Sequence, residues 1–275
     1  MTSLWQFGFV HNALLAGAIV ALVSGLVGPF VVARNQSFGV HAVAEVGFTG
    51  AAGALLVGLP PTVGMLGFCV LAGLAIGLLG VEARERDVAI GATLAFALGL
   101  GVLFLSVYTR YANEAFSLLF GTVLGISRQQ VIFSAIVGAI TLAALAVVYR
   151  PLRFASVDPE VAVARGVPVR LLSAVFLVLL AFAVAEAVQV VGILLLLTLL
   201  ISPAAAANHL TAHPGWATAL SVAIAMGCTL GGIVLALYVP WPPSFFIATL
   251  SFIAYLGARL AGPALNGRAR AAQRA

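Results

Sequence analysis

His41 and Glu45 are the residues of this sequence whose types and spacing are best suited to metal chemistry. They lie four positions apart, so a helix places both side chains on one face. An imidazole together with a carboxylate suits zinc, manganese or iron(II). A second interpretation stays open, in which the two side chains form an intrahelical pair that fills a polar core or a dimer seam.

The depth of this pair in a membrane favours a role in transport. Apart from His41 and Glu45, no Asp, Glu, His, Lys or Arg lies between Arg34 and Glu82. At a rise of about 1.5 Å per residue, Glu45 lies roughly 16 Å from Arg34, near the middle of a hydrocarbon core roughly 30 Å thick. An ionisable residue at that depth is costly and usually functional. We therefore predict that the pair lies on the path of a divalent cation.

The other polar residues within apolar stretches carry weaker signals. Glu186 is the only formal charge between residues 171 and 258. We expect it at the outer end of a span, where it either lines the entrance of the path or is solvated by water. His209 and His213 follow the helix that contains Pro203, and they either receive the exiting metal or lie among lipid headgroups. No convincing Ser–His–Asp set or pair of carboxylates is present, so we do not predict an enzyme.

The composition is that of a polytopic membrane protein. Hydrophobic residues make up 63% of the 275 residues and charged residues 8%, whereas a soluble domain has roughly 25% charged residues. All 13 basic residues are arginine, so the chain lacks the lysine of a phosphate-binding P-loop. The arginines occupy short connections and the tail without a basic stripe, which argues against nucleic acid as a partner. We expect one membrane domain over residues 1–275.

Long apolar stretches predict an all-α bundle with eight or nine transmembrane helices. Five of them fall in residues 13–149, with a short piece at 115–126 that is expected to be re-entrant, and eight spans would require that one piece around residues 187–207 does not cross. About four more fall in residues 171–258, divided by prolines. The positive-inside rule places the loop 150–170 and the tail 264–275 in the cytoplasm, and with nine spans the N-terminus lies outside.

The loop 150–170 contains a predicted short helix. Asp158 is suited to cap its N-terminus, with Pro159 at the first helical position. Gly166 suits the left-handed conformation that ends a helix. Ala162 and Ala164 give the helix a small side, which either fits a groove of a soluble partner or rests on lipid headgroups.

Four segments resemble the permease subunits of the ATP-binding-cassette importers for zinc, manganese and iron ions. They are residues 34–38 (RNQSF), 119–127 (LFGTVLGIS), 158–166 (DPEVAVARG) and 190–207 (VVGILLLLTLLISPAAAA). The resemblance extends over almost the whole chain, and it rests mainly on the last two segments in combination.

This resemblance implies a multi-pass protein of a prokaryotic cell membrane, with a helical fold related to vitamin B12 and siderophore importers. It also implies a permease dimer, two cytoplasmic ATPase subunits and an external protein that delivers the metal. The ion, with zinc or manganese favoured, is the cargo, and no permanent cofactor is implied.

The resemblance also assigns roles to particular residues. The family has Asp followed four positions later by His where this sequence has His41 and then Glu45, so the order is inverted. The residues matched to the family's ATPase-coupling segment are Asp158, Pro159, Glu160, Ala162, Ala164 and Gly166.

Two other functions remain as alternatives: a permease for a metal chelate such as a siderophore, and a secondary transporter driven by an ion gradient.

Overall fold

The computed structural model describes residues 7–79, 83–107, 121 and 123–272, and the regular structure within those residues is entirely helical. The predicted all-α fold is thereby confirmed. The described α-helices are α1 Gly8–Ala33, α2 Ser37–Leu56, α3 Pro61–Leu79, α4 Ala83–Val107, α5 Arg128–Val157, α6 Pro159–Ala164, α7 Val169–Val191, α8 Ile193–Leu210, α9 Pro214–Tyr238 and α10 Pro243–Ala272.

Seven of the described helices are long and apolar enough to cross a bilayer, namely α1, α2, α4, α5, α7, α9 and α10. The helices α3 and α8 are also apolar and contain 19 and 18 residues. Most of the expected re-entrant piece at 115–126 lies outside the described residues, and its described part contains a 3₁₀ turn at Val123–Gly125.

The helices extend beyond the apolar stretches in two places. α5 continues past Pro151 to Val157, so the expected loop 150–170 contains the end of α5, all of α6 and the start of α7. A proline removes only one donor from the helical ladder, and outside the hydrocarbon water can satisfy the carbonyl that is freed. α4 begins at Ala83, within the charged link, because Arg and Glu are good helix formers.

Contacts between loops identify the two ends of the bundle. At one end, Gly121 lies against the backbone of Gly192, and the Asn12 side chain donates to the carbonyl of Ile126 at 3.2 Å. At the other end, Ala33, Ser156 and Thr211 line one cavity. Since α8 connects Gly192 to Thr211, it runs from one end to the other, which favours nine crossings over eight. Arg34 and Arg153 lie at the second end, which the positive-inside rule makes cytoplasmic.

The helices α1, α2 and α7 form the centre of the bundle, whereas α4 and α10 lie at its edge and are mostly exposed. Exposed side chains of α4, such as Phe96 and Leu103, are large and apolar. They therefore suit contact with lipid or with a second membrane subunit. The metal-path candidates lie on α2, which is one of these central helices.

Glycines allow α2 and α3 to pack with their backbones in contact. A Cβ atom on Gly64 would collide with the carbonyl oxygen of Gly50 and lie 2.6 Å from the Cβ of Ala54. A Cβ on Gly50 would in turn collide with the carbonyl oxygen of Gly64. Small residues at a membrane helix interface permit such an approach, and α3 therefore fixes the position of α2.

We predict that Gly64→Ala lowers the free energy of unfolding by about 1–3 kcal/mol, the usual cost of overpacking. Gly67→Ala in the same helix is the matched control, because no atom lies within 4 Å of its added methyl group. Alanine also has the higher helix propensity, so the control is expected to be neutral or slightly stabilising. Denaturant unfolding of the purified protein in detergent measures both. Equal losses of stability would contradict the packing described here.

Candidate metal path and coupling surface

One strip of α2 is only partly covered by the rest of the chain. It contains Phe38, His41 and Glu45, which share a face because they are spaced by three and four residues. Toward the outer end the strip closes, since Phe48 and Thr49 are buried. The strip is therefore open from the cytoplasmic end of α2 as far as Glu45.

His41 and Glu45 face each other within this strip. The Nε2 atom of His41 lies 4.0 Å from the Oε1 atom of Glu45, and the two side chains are 39% and 13% exposed. Two ligands that each bind a metal at about 2.1 Å can be at most about 4.2 Å apart, so both atoms can reach one ion. The pair thus offers one neutral nitrogen and one anionic oxygen toward the uncovered side of α2.

No third ligand joins this pair among the side chains that the structure describes, which contain no cluster of three His, Cys, Asp or Glu residues. Cys69 lies beside α2, but it is fully buried and its thiol donates to the carbonyl of Val43 at 3.4 Å. Cys69 is therefore part of the core.

Contacts between α2 and α4 fix the rotation of α2 about its own axis. The Thr49 hydroxyl donates to the carbonyl of Ala97 in α4 and lies 3.2 Å from the carbonyl of Glu45. Gly101 of α4 leaves room for the Phe48 ring, whose atoms lie 2.8 Å from the position of a Cβ on Gly101. Phe48 and Thr49 continue the face of His41 and Glu45 by three and four residues, so α4 covers the outer part of that face.

The structure corrects the expected surroundings of Glu186. Its side chain is 1% exposed and is therefore neither solvated by water nor on the surface of the chain. Ser134 of α5 donates to its Oε1 atom at 3.0 Å, whereas Oε2 has no hydrogen-bond partner among the residues that the structure describes. Gly138 leaves room for the carboxylate, since a Cβ there would lie 3.2 Å from it. Sequence reasoning missed this pocket because Ser134 lies 52 positions away.

His209 and His213 do not join the metal-path candidates. The His209 ring, in the last turn of α8, lies 5.8 Å from the ring of Tyr255. His213 is exposed at the N-terminus of α9. Neither belongs to a metal-ligand cluster within the described part of the chain.

The local structure predicted for residues 158–166 is confirmed. The Asp158 carboxylate accepts from the N–H of Val161 at 3.0 Å, and Pro159 is the first residue of α6. Gly166 has a φ of 78°. The N–H groups of Gly166 and Val167 donate back to Val163 and Ala162 at 2.9 and 3.0 Å, the bonds of a Schellman motif.

The two alanines of α6 do not form one surface. Ala162 is fully buried against its own chain, whereas Ala164 is exposed. The residues of α6 that remain available to a partner are Pro159, Glu160, Val161, Val163 and Ala164. A docking surface on α6 is consequently more apolar, through its two valines, than the sequence suggested.

Arg34 links the α1–α2 turn to two other helices, which sequence reasoning did not foresee. Its guanidinium donates to Ser156 of α5 at 3.3 Å and to Ser173 of α7, and it lies 5.6 Å from the centre of the Phe176 ring. Burial lowers the pKa of the Arg34 guanidinium from its ordinary value. The turn that leads into α2 is thereby tied to the segment before α6.

Comparisons with known proteins agree with this architecture. The model of the ABC 3 transport family matches residues 6–261. The manganese transport system membrane protein MntC of Listeria innocua is 30% identical over 241 residues, which cover 86% of this chain and 84% of that protein. A probable iron transport system membrane protein of Haemophilus influenzae is 30% identical over 84% of this chain and 85% of that protein.

A solved structure, described as PsaBC from Streptococcus pneumoniae in complex with Fab, has the same fold. It superimposes with a TM-score of 0.84 at 27% identity, over 93% of this chain and 92% of the matched chain. The resemblance found in the sequence motifs is thereby confirmed. The chain belongs to the ABC 3 transport family and is a multi-pass membrane permease.

Proposed function

We propose that this chain is the permease subunit of an ATP-driven importer of divalent transition-metal ions. The observation that carries the proposal is the His41–Glu45 pair, which offers two ligand atoms 4.0 Å apart on a partly uncovered strip of a central membrane helix. An external metal-binding protein delivers the ion, and cytoplasmic ATPase subunits supply the energy. This assembly is expected from the family, and a second permease subunit completes it.

The ligand chemistry suits more than one ion. Imidazole favours zinc or iron(II), whereas a carboxylate suits manganese. The name of the Listeria innocua relative refers to manganese, and that of the Haemophilus influenzae relative refers to iron. A second relative, from Listeria monocytogenes, is also named for manganese transport. We therefore place manganese first and zinc second.

A two-ligand site is suited to passage rather than storage. Conduction requires binding that is strong enough for entry and weak enough for release. One neutral imidazole and one carboxylate bring a single negative charge, so a divalent ion keeps part of its water shell. Because the strip below Glu45 is uncovered, an ion bound here leaves toward the cytoplasmic end of α2, along His41 and Phe38.

The closed part of α2 separates this site from the outside. Phe48 and Thr49 are buried beyond Glu45, so an ion that arrives from outside must pass along the seam with the second permease subunit or wait for α2 to move. Movement of α2 is the step that we assign to ATP-driven coupling through α6.

We predict that His41→Ala and Glu45→Gln each reduce metal uptake by about tenfold or more, a loss that is usual when a metal site loses a supporting group. Glu45→Gln keeps the shape and the hydrogen-bonding capacity but removes the charge. Uptake of radioactive manganese into proteoliposomes that contain the whole importer measures this loss. Normal uptake by the double variant would exclude the pair from the ion path.

Glu186→Gln is the matched control, because it makes the same substitution at a carboxylate that is closed off from the path. Its Oε1 atom accepts from Ser134, so the amide oxygen can replace it. Uptake per folded molecule is expected to remain unchanged. If uptake fails in Glu186→Gln and persists in Glu45→Gln, the buried carboxylate is the functional one, as a gradient-driven carrier would require.

Energy coupling gives a second prediction. The purified chain is expected to hydrolyse no ATP, because it has no lysine and so no P-loop. Ala164→Trp is expected to abolish metal-dependent ATP hydrolysis by the assembled importer, since Ala164 is on the exposed side of α6. Ala162 is unsuitable for this test because it is fully buried, and a bulky residue there disrupts the fold itself.

Ala219→Trp serves as the control for Ala164→Trp. Ala219 is also exposed, but it lies in α9, so the added indole is expected to leave hydrolysis unchanged. Copurification of the ATPase with each variant shows whether the ATPase subunit still binds the permease. A variant that binds the ATPase but shows no hydrolysis has lost coupling rather than docking. Wild-type coupling in Ala164→Trp would show that α6 is not the docking element.

A further inference from the structure

A groove runs along α1 between α5 and α9. Both helices pack on α1 without packing closely on each other, so a strip of α1 remains between them. Leu22, Leu26, Pro29 and Ala33 of this strip are exposed or partly exposed, and their spacing puts them on one face of α1. The floor of the groove is therefore apolar along most of its length.

The cytoplasmic end of the groove widens into a cavity of about 200 Å³. Its floor is formed by Pro29, Phe30 and Ala33. Its polar wall contains Arg153, Ser156, Asn208, Thr211 and Thr218. An apolar groove thus ends in a polar chamber at the level where the membrane core gives way to headgroups.

A second cavity adjoins the first on the other side of Tyr149, which lines both. It measures about 400 Å³ and brings Arg150 together with Leu26, Leu142 and Leu145. The Tyr149 ring packs edge-on against Phe30, with centroids 5.5 Å apart. Tyrosine is enriched at this depth of a membrane, which agrees with the assignment to the headgroup boundary.

The positive charge at this end has no counter-charge from the chain. Within the described residues, no carboxylate lies within 4.0 Å of Arg150 or Arg153, and the one ion pair is that of His41 with Glu45. Arg34 adds further positive charge, because its guanidinium donates to Ser156 on the cavity wall at 3.3 Å. The site therefore presents arginines that are open to an anion.

The combination of these features identifies the class of ligand. A guanidinium pairs well with a phosphate, and basic pockets between membrane helices on the cytoplasmic side bind anionic lipid headgroups. A free phosphate would leave the apolar floor of Leu22 and Leu26 without a partner, whereas a neutral lipid would leave the arginines without one. We propose that the groove binds an anionic glycerophospholipid of the cytoplasmic leaflet, with its phosphate at Arg150 and Arg153 and an acyl chain along α1.

A lipid at this position would affect the region of the chain next to α6. α5 carries both arginines and Ser156, and it ends at Val157, directly before the cap of α6. A lipid that joins α1, α5 and α9 is expected to stabilise the region next to α6. This inference does not depend on the identity of the transported ion, and it is tested without metal or ATPase.

Native mass spectrometry of the full chain, released from detergent after delipidation, tests the proposal. Phosphatidylglycerol is expected to remain bound, whereas phosphatidylcholine is not. The double variant Arg150→Gln, Arg153→Gln is expected to bind phosphatidylglycerol at least about tenfold more weakly, since each arginine near an anionic lipid contributes a factor of about five. The double variant Arg165→Gln, Arg170→Gln is the charge-matched control, because both arginines are exposed and line neither cavity, and it is expected to bind normally.

A second variant keeps the charges and fills the space. Ala212 is exposed and lines the polar cavity, so Ala212→Phe is expected to weaken phosphatidylglycerol binding while the protein still folds. Equal retention of phosphatidylcholine, or undiminished binding by both the arginine variant and Ala212→Phe, would overturn the proposal. Displacement of the lipid by excess inorganic phosphate, or by the ATPase subunit, would also overturn it, by showing an anion site or a protein interface instead.

Discussion

The interior of a bilayer offers no hydrogen-bond partner to a polar group, and this constraint separates the His41–Glu45 pair from the hydrogen-bonded side chains of the bundle. Thr49 and Thr141 donate to backbone carbonyls, Thr141 at 2.8 Å to Val137. Ser134 donates to Glu186 within a closed pocket. His41 and Glu45 differ, because their 4.0 Å separation is too long for a hydrogen bond and their strip is partly uncovered. The Thr49 and Ser134 bonds join different helices, whereas the open pair remains available to an ion.

The open pair depends on contacts at both ends of α2. Thr49 ties the outer half to α4, and Arg34 ties the turn before Ser37 to α5 and α7. Ser156, one of the Arg34 partners, lies two residues before the cap of α6 at Asp158. The surface that we assign to the ATPase and the helix that carries the ligands are therefore connected through one hydrogen-bonded guanidinium. Apolar contacts are not directional, so apolar packing alone would restrain the rotation of α2 relative to α6 less strictly than hydrogen bonds do.

The sequence predicted those features that depend on neighbours along the chain. The spans follow from apolar length, and the turn of α6 follows from Asp158, Pro159 and Gly166, whose effects act over a few residues. Features that depend on distant residues were not predictable. Glu186 was expected to line the entrance of the path or to be solvated by water, because nothing near it in sequence reveals Ser134 or Gly138. For α6, the composition shows two small residues, but only the packing shows which of them faces inward.

The inverted order of His41 and Glu45 has a physical consequence for the proposed path. The resemblance implies Asp first and His second, so the exchange moves the carboxylate by four residues, about 6 Å along the helix axis, away from the cytoplasmic end. The negative charge then lies next to the closed part of α2 at Phe48, where an ion from outside first meets the site. The imidazole lies nearer the exit and is the more exposed of the two, at 39% against 13%. The charged ligand therefore lies at the deeper position, and the neutral ligand lies toward the cytoplasm. The attraction for a cation falls along the path toward the cytoplasm, and this suits release in one direction.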